Sequence, residues 1–468
     1  MTIDDLCFAS ATELIGLYQA RELSPVDVTE AILNRIEQLN PALNAFITVT
    51  PELALAQARA AARAYLEGNA GILAGVPISI KDLTLTKGIR TTRGSLLYAD
   101  WTPDEDAPFV ERVKSAGAVM LGKTNTPEFG WKGDSGNRLV GPTHNPWKHG
   151  RTAGGSSGGG AAAVAAGLGP LAQGSDGAGS IRIPCGFCGI FGLKPSFGLV
   201  PYHPPSSVGD FSHIGPMTRT VADAALLLNA TAGEDPRDRY SWSSGVDYVK
   251  ALDGDVRGLR IGWSLDLGYS PVDPQVIQAT EAAVRRFEEL GCTVEEAHPG
   301  LEDPWEIVHI IWASSHAGTL KDQFDEVQDR LDPGLVEVIE AGQRFSAAEF
   351  TAALARRNAY AQKLRSFTSQ YDLFVTPTLP ITAFAAGADQ PGSIQGQPTD
   401  YLSWTAFTYP FNITGQPAAT VPCGWDSAGL PIGLQIVGRF HDDATVLRAA
   451  AAFEVIAPWQ DRRPPRPA

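Results

Sequence analysis

Two glycine-rich runs lie close together in the chain, and they restrict its fold more than any other feature. Gly154 to Gly160 reads GGSSGGG, and Gly174 to Pro184 reads GSDGAGSIRIP. Between them sits a small-residue segment of helical character, Ala161 to Gly167. Glycine loses more backbone entropy on ordering than any other residue, so such a concentration needs a structural reason. One reading is a flexible linker, but a linker is not flanked closely on both sides by buried-type sequence. The other is that backbone N–H groups point into a shared cavity, as in an anion cradle or oxyanion hole. A Walker-type phosphate loop is excluded, because no Gly-Lys-Ser/Thr ends either run.

Hydroxyls sit inside both runs, at Ser156, Ser157, Ser175 and Ser180. A hydroxyl on bare backbone beside free N–H groups suits acyl transfer, provided a base is at hand. Histidine is the usual base, and the chain has eight. The pattern G-x-S-x-G at Gly155 to Gly159 would make Ser157 the nucleophile of an α/β-hydrolase elbow. Such an elbow ends a strand, and His149 to Ala153 is not strand-like, so this reading is the weaker one. Lysine is the other candidate. Lys81 directly follows the apolar strand pattern Val76-Pro77-Ile78-Ser79-Ile80. Burial there disfavours the ammonium form and lowers the pKa, and a neutral lysine can take a proton. A lysine after a strand is more often a solvated charge, so on spacing alone both readings stay open.

The rest of the chain alternates between helix and strand patterns. Ser10 to Glu13 and Ser24 to Asp27 read as helix starts, with Pro25 at a first helical position. Val28, Ile32, Leu33, Ile36 and Leu39 then share one helical face. Phe46 to Val49 reads as strand, Ala56 to Leu66 as helix, Val76 to Ile80 as strand, Val110 to Ala116 as helix and Ala118 to Leu121 as strand. Asp273-Pro274 opens a helix whose inner face is Val276, Thr280, Ala283, Val284 and Phe287. Gly291 stops it, and Cys292 to Val294 resumes as strand. Leu373 to Val375 and Leu434 to Val437 are further buried strands. This alternation predicts an α/β fold, a sheet covered by helices on both faces. Glu234 to Gly258 is polar and reads as a boundary or a surface excursion. Residues 302–365 read as helical, and the proline-rich tail from Arg462 to Ala468 as frayed.

With 468 residues, 44% of them hydrophobic and 19% charged, the chain can bury a large core. Its net charge of -15 repels phosphate backbones and anionic lipid, so neither nucleic acid nor a membrane surface is an expected partner. No signal-peptide pattern opens the chain, and a cytoplasmic location is expected. Five irregularly spaced cysteines imply no disulfide framework. Cys185 and Cys188 lack the second ligand pair that a structural zinc needs, and they read as core thiols.

The glycine–serine region resembles the signature of the amidase signature family, from Gly154-Gly155-Ser156-Ser157-Gly158-Gly159 through Asp176-Gly177-Ala178-Gly179-Ser180-Ile181-Arg182-Ile183-Pro184. Gly75 to Asp82 is similar to that family's lysine motif. Gly122-Lys123-Thr124-Asn125, Phe187 to Pro195 and Gly429 to Gln435 extend the likeness over most of the chain, most weakly from Glu234 to Arg365. The resemblance implies one amidase signature domain over 1–468, with a central mixed β-sheet and a variable helical pocket region about 302–365. It implies Ser180 as nucleophile, Ser156 as bridging serine on a cis peptide bond, and Lys81 as neutral base. It also implies an oxyanion hole from the N–H groups of Gly177, Ala178, Gly179 and Ser180, supported by Ser157, Asp176 and Arg182. No metal or cofactor is implied.

The family's commonest oxyanion segment has a larger residue and then glycine where this chain has Gly177 and Ala178. This departure points toward amidases acting on anilides, linear oligoamides or aryl carbamates, and away from the glutaminase component of a transamidosome. The expected partner is therefore a small amide or carbamate, with ester chemistry also open, and a homodimer is the default assembly. The alternative is a glutaminase-type subunit of an amidotransferase complex. Trp305, Trp312, Phe345, Trp404, Phe407 and Tyr409 are the pocket candidates, each weighed against plain core packing.

Overall fold

The computed structural model describes residues 2–466. Eleven strands form one sheet: β1 (Phe46–Val49), β2 (Pro77–Lys81), β3 (Val119–Thr124), β4 (Leu171–Asp176), β5 (Phe191–Lys194), β6 (His213–Thr218), β7 (Arg260–Trp263), β8 (Thr293–Glu296), β9 (Leu373–Pro377), β10 (Ala418–Trp425) and β11 (Pro431–Gly438). Their order across the sheet is β1-β3-β2-β4-β6-β5-β10-β11-β9-β7-β8. The β3-β2-β4 and β9-β7-β8 neighbours run parallel, and the remaining pairs are antiparallel, so the sheet is mixed. The central strands are buried along their length, as strands with helices packed on both faces must be.

The helices follow their local signals. Ser10 and Glu13 form a reciprocal capping box, and Pro25 opens the helix Pro25–Leu43. At that second start Ser24 accepts from Val26 N–H. Val28, Ile32, Ile36 and Leu39 are buried as their spacing requires, while Leu33 is half-buried. All five predicted inner-face residues of the helix Pro274–Glu289 are buried. The 302–365 region is helical: Trp305–Thr319, Phe324–Val327, Pro333–Arg344 and Ala347–Thr368.

Three details refine the pattern reading. Lys148–Thr152 is a strand after all, in a two-stranded hairpin with His144–Asn145 outside the main sheet. Isolated alternation is too weak there to show against the adjacent glycines. Residues 234–258 are a surface excursion pinned by the buried Tyr248 in the main core. The tail is tied down as far as Arg466, because Arg463 and Arg466 pair with Asp5 and Asp4. The last two residues of that predicted tail lie outside the described ones. No helix among the described residues is long and apolar enough to cross a membrane.

Candidate active site

β2 ends at Lys81, which has no exposed surface. Its Nζ lies 2.7 Å from Ser156 Oγ, 3.0 Å from Ser175 Oγ and 3.4 Å from the Ser175 carbonyl oxygen. Burial pulls its pKa down to about 7, opposed only in part by the charge of Asp176.

Ser156 sits on the turn between the hairpin strand and the helix Gly158–Ala165, and its bond to Gly155 is cis. The turn is clamped by Gly133 to Ser135. Ser135 Oγ donates to the Ser156 carbonyl (3.2 Å) and accepts from Gly158 N–H (2.8 Å). A Cβ at Gly155 would fall 2.7 Å from the Asp134 backbone, so only glycine fits. Asp134 is itself fully buried, its carboxyl raised to about 6 by burial despite the Thr152 hydroxyl. Nothing in the sequence pattern singled out Asp134 or Ser135, and Ser175 stood out only as one hydroxyl among four.

Ser180 lies in the second glycine run, just before the helix Arg182–Cys188. The two runs are tied together by Ser157 N–H, which donates to the Ser180 carbonyl (3.2 Å). Ser157 Oγ donates to the Ser175 carbonyl (3.2 Å), steadying the residue that touches Lys81. Among the described residues the Ser180 hydroxyl forms no hydrogen bond, so contact is closed between Lys81 and Ser156 but not between Ser156 and Ser180.

Asp176 organises the loop before Ser180. Its carboxylate accepts from Gly179 N–H (2.7 Å), Ile181 N–H (3.2 Å), Asn412 Nδ2 (2.8 Å) and the Arg182 guanidinium (2.9 and 3.0 Å). Burial alone would raise its pKa, but the Arg182 charge and hydrogen bonds more than offset that and hold it below the usual carboxylate range. Arg182 also donates to the Thr408 carbonyl, Gln435 and Asn412, so both charges are fully satisfied.

The expected set of oxyanion donors needs one revision. The Gly179 N–H is already engaged by Asp176. Among the described residues those of Gly177, Ala178 and Ser180 have no protein acceptor. Gly179 has φ 130°, open to glycine, and a Cβ there would fall 2.7 Å from Thr408 Cβ. Thr408 Oγ1 donates to the Ala178 carbonyl (2.6 Å), which fixes the peptide orientation.

The pocket candidates divide. Trp305, Trp312, Phe345 and Tyr409 belong to one apolar cluster that also holds Ala178, Trp131 and Tyr401. Phe407 is core against Phe374 and Phe411, and Trp404 stacks on Phe187 in another cluster. Both are almost fully buried, at 1% exposure for Trp404 and 0% for Phe407, which fits the core-packing reading. Trp131 was missed, since one tryptophan in a glycine-rich loop carries no periodic signal. All five cysteines are free thiols, and Cys185 and Cys188 are buried.

The fold and this glycine-loop site define a class of serine-containing α/β hydrolases, and comparison with known proteins specifies it. A family model described as Amidase matches residues 27–447. An acylamidase from Rhodococcus erythropolis is 42% identical, over 99% of this chain and 98% of that protein. A glutamyl-tRNA(Gln) amidotransferase subunit from Moorella thermoacetica is 39% identical, over 98% of this chain and 99% of the relative. Among solved structures, a bacterial aryl acylamidase of the amidase signature family superposes with TM-score 0.92 at 32% identity, covering 97% of each chain. A 6-aminohexanoate cyclic dimer hydrolase complexed with its substrate superposes with TM-score 0.90 at 31% identity, covering 98% of this chain and 99% of that one. The chain belongs to the amidase signature family and is an amidase, a hydrolase of carbon–nitrogen amide bonds.

Proposed function

We propose that the protein hydrolyses an aryl or alkyl amide through Ser180, Ser156 and Lys81, and that carbamates and esters enter the same route. The observation that carries this reading is a fully buried lysine 2.7 Å from a serine hydroxyl, with its pKa near 7. Neutral Lys81 takes the Ser156 proton as Ser156 takes that of Ser180. Ser180 Oγ then bonds to the carbonyl carbon, and the carbonyl π pair moves onto oxygen. The negative oxygen is held by the N–H groups of Gly177, Ala178 and Ser180. On collapse the C–N bond breaks, Ser156 passes its proton to the leaving nitrogen, and the Lys81 ammonium restores Ser156. Water then attacks the acyl-enzyme by the same relay, releasing the acid and free Ser180.

The whole chain, 1–468, is read as one catalytic unit whose helices at 302–365 shape the pocket. The reading takes the enzyme to be cytoplasmic and homodimeric, and sedimentation velocity tests the second point. Trp131, Trp312 and Tyr409, in the same apolar cluster as Ala178, favour an aryl substrate. The test is hydrolysis by the purified chain of an aryl anilide, an aryl carbamate, an aliphatic primary amide and glutamine, with Ser180→Ala in parallel. Aryl turnover lost in the variant is expected. Turnover of glutamine alone, or none without partner chains, would instead support the amidotransferase-component reading that the Moorella relative raises.

A further inference from the structure

In the proposed relay Ser156 serves Lys81 on one side and Ser180 on the other, so where its turn sits decides whether a proton can pass. Asp134 and Ser135 grip that turn from opposite ends. Ser135 holds the far end, through the Ser156 carbonyl and the Gly158 N–H (3.2 and 2.8 Å). Asp134 holds the near end through its side chain. Its Oδ1 accepts from Thr152 Oγ1 (2.6 Å), and Thr152 Oγ1 in turn accepts from Gly154 N–H (2.9 Å). The hydrogen-bond chain Asp134–Thr152–Gly154 therefore ends two residues before Ser156. Gly387 N–H approaches the same carboxylate oxygen at 3.5 Å.

The segments joined by this chain cannot drift independently. Gly154 is seated on the helix that follows Ser180: a Cβ there would fall 2.8 Å from Pro184 Cα and 3.0 Å from Pro184 N. Gly155 lies against the Asp134 backbone, and Ser157 N–H donates to the Ser180 carbonyl (3.2 Å). Thr152 N–H donates to the Phe384 carbonyl (2.8 Å), which holds the strand end from the other side. Releasing Thr152 would free Gly154 and Gly155 to move against the Ser180 segment, and would shift Ser156 Oγ relative to Lys81 Nζ.

A second observation sets this carboxyl apart from a routine structural one. Asp134 has no exposed surface, and its Oδ2 has no hydrogen-bond partner among the described residues. Lys132, two residues before it, is turned to Asp332 and Asp389 instead. A buried acceptor left unmatched costs roughly 1–3 kcal/mol. A neutral acceptor such as asparagine could accept from Thr152 without bringing a carboxyl into the interior. The carboxyl is also boxed in, since a Cβ at Gly136 would fall 2.9 Å from Oδ2. A destabilising, immobile group beside a reacting serine is the pattern of a residue kept for what it positions.

We propose that Asp134 is a positioning residue for amide hydrolysis, holding Ser156 between Lys81 and Ser180 through Thr152 and Gly154. The proposal rests on the Ser180–Ser156–Lys81 reading of the reaction. Asp134 touches neither substrate nor a reacting atom. Its effect falls on the step that asks most of Ser156, the proton passed to the leaving nitrogen. An anilide nitrogen needs that proton to leave, whereas an aryloxide leaves without one. A misplaced Ser156 therefore slows amides more than aryl esters of the same acid, a difference that loss of folded enzyme cannot produce.

The test is a ratio measured on one sample of the full-length enzyme: kcat/KM for the anilide that wild type turns over fastest, divided by kcat/KM for the 4-nitrophenyl ester of the same acid. Asp134→Ala should lower the ratio about tenfold or more. It should lower kcat for the anilide about a hundredfold at nearly constant KM, the scale of a misplaced catalytic group. Thr152→Val removes one hydroxyl and keeps the shape. It should act alike, and it carries the test should Asp134→Ala fail to fold. Thr152→Ser and Asp134→Asn each keep the hydrogen bond and should hold the ratio within about threefold of wild type. The double variant Asp134→Ala, Thr152→Val should lose no more than the larger single loss, since both break one chain. A wild-type ratio in Asp134→Ala and Thr152→Val would overturn the proposal. So would a Thr152→Ser ratio as low as that of Thr152→Val, or losses that add in the double variant. If Ser156→Ala leaves the ratio at the wild-type value, the relay itself fails and the proposal with it. A ratio that falls in Ser156→Ala but not in the Asp134 and Thr152 variants overturns the positioning role alone.

Discussion

Lys81 and Lys123 stand on adjacent parallel strands, with Ile80 paired to Lys123 and Lys81 to Thr124, so their side chains leave opposite faces of the sheet. Both are fully buried, and burial lowers both pKa values, to about 7 and about 8. Their partners differ. Lys123 Nζ donates to the Thr84 carbonyl (2.5 Å), Thr86 Oγ1 (3.0 Å) and Thr91 Oγ1 (2.9 Å), with the Asp82 carboxylate 4.0 Å away. Three acceptors and a counter-ion use every proton of an ammonium, so Lys123 stays charged. Lys81 has two hydroxyls, which can donate as well as accept, and no carboxylate within ion-pairing distance among the described residues. Burial alone would not make a base; a set of partners that tolerates the neutral amine would.

Matched substitutions should separate the two lysines most sharply. Lys81→Met and Ser180→Ala should each lower kcat/KM by about 10⁴-fold or more, as loss of a member of a nucleophilic relay does, with the melting temperature little changed. A Lys81→Met enzyme with near wild-type anilide turnover would rule Lys81 out as the base. Lys123→Met should do the reverse. It leaves the Asp82 carboxylate buried and unpaired, at a cost of about 3–5 kcal/mol in denaturant unfolding. Activity per folded molecule should remain within about threefold, because Lys123 touches no group of the proposed relay.

The pH profile sharpens the contrast at intermediate size. A base must be neutral to act, so kcat/KM should fall as pH drops through about 7 and Lys81 takes up a proton, and should hold above it. The Lys123→Met variant should keep that acid limb in place. A limb that moves with Lys123 would mean the two faces of the sheet are electrostatically coupled.

The candidate site was legible in the sequence because it is written in local, unusual residues. Glycine runs holding Ser156, Ser157 and Ser180, and a lysine closing an apolar strand, need no tertiary information to stand out. The mixed sheet was legible through the family likeness, whereas alternation alone gave only helices over a sheet. What escaped notice depends on contacts between distant segments. Trp131 accepts at its carbonyl from Trp312, 181 residues away, and Ser135 reaches the turn through the Ser156 carbonyl and the Gly158 N–H. Phe407 and Trp404 were misplaced for the same reason: an aromatic side chain looks alike in sequence whether it lines a cavity or fills a core. The Gly179 donor could be discounted only once the Asp176 carboxylate was seen to occupy it.

The smallest expected effect tests what keeps Lys81 poised. Ser175 presents both its hydroxyl and its carbonyl to Nζ, at 3.0 and 3.4 Å, and both stabilise the ammonium more than the amine. Ser175→Ala removes the hydroxyl and leaves the carbonyl, which Ser157 still braces. The charged form loses one acceptor, so the pKa should fall and the acid limb of kcat/KM should move down by about half a unit. A half-unit shift corresponds to about 0.7 kcal/mol, within the range of one hydrogen bond. The plateau rate should change little, since a base that is already neutral gains nothing more from deprotonation. A limb that moves upward would mean that Ser175 donates to the neutral amine and so favours the base form. Ser175 would then be part of what activates Lys81, and the difference from Lys123 would lie in a donated proton rather than in a missing carboxylate.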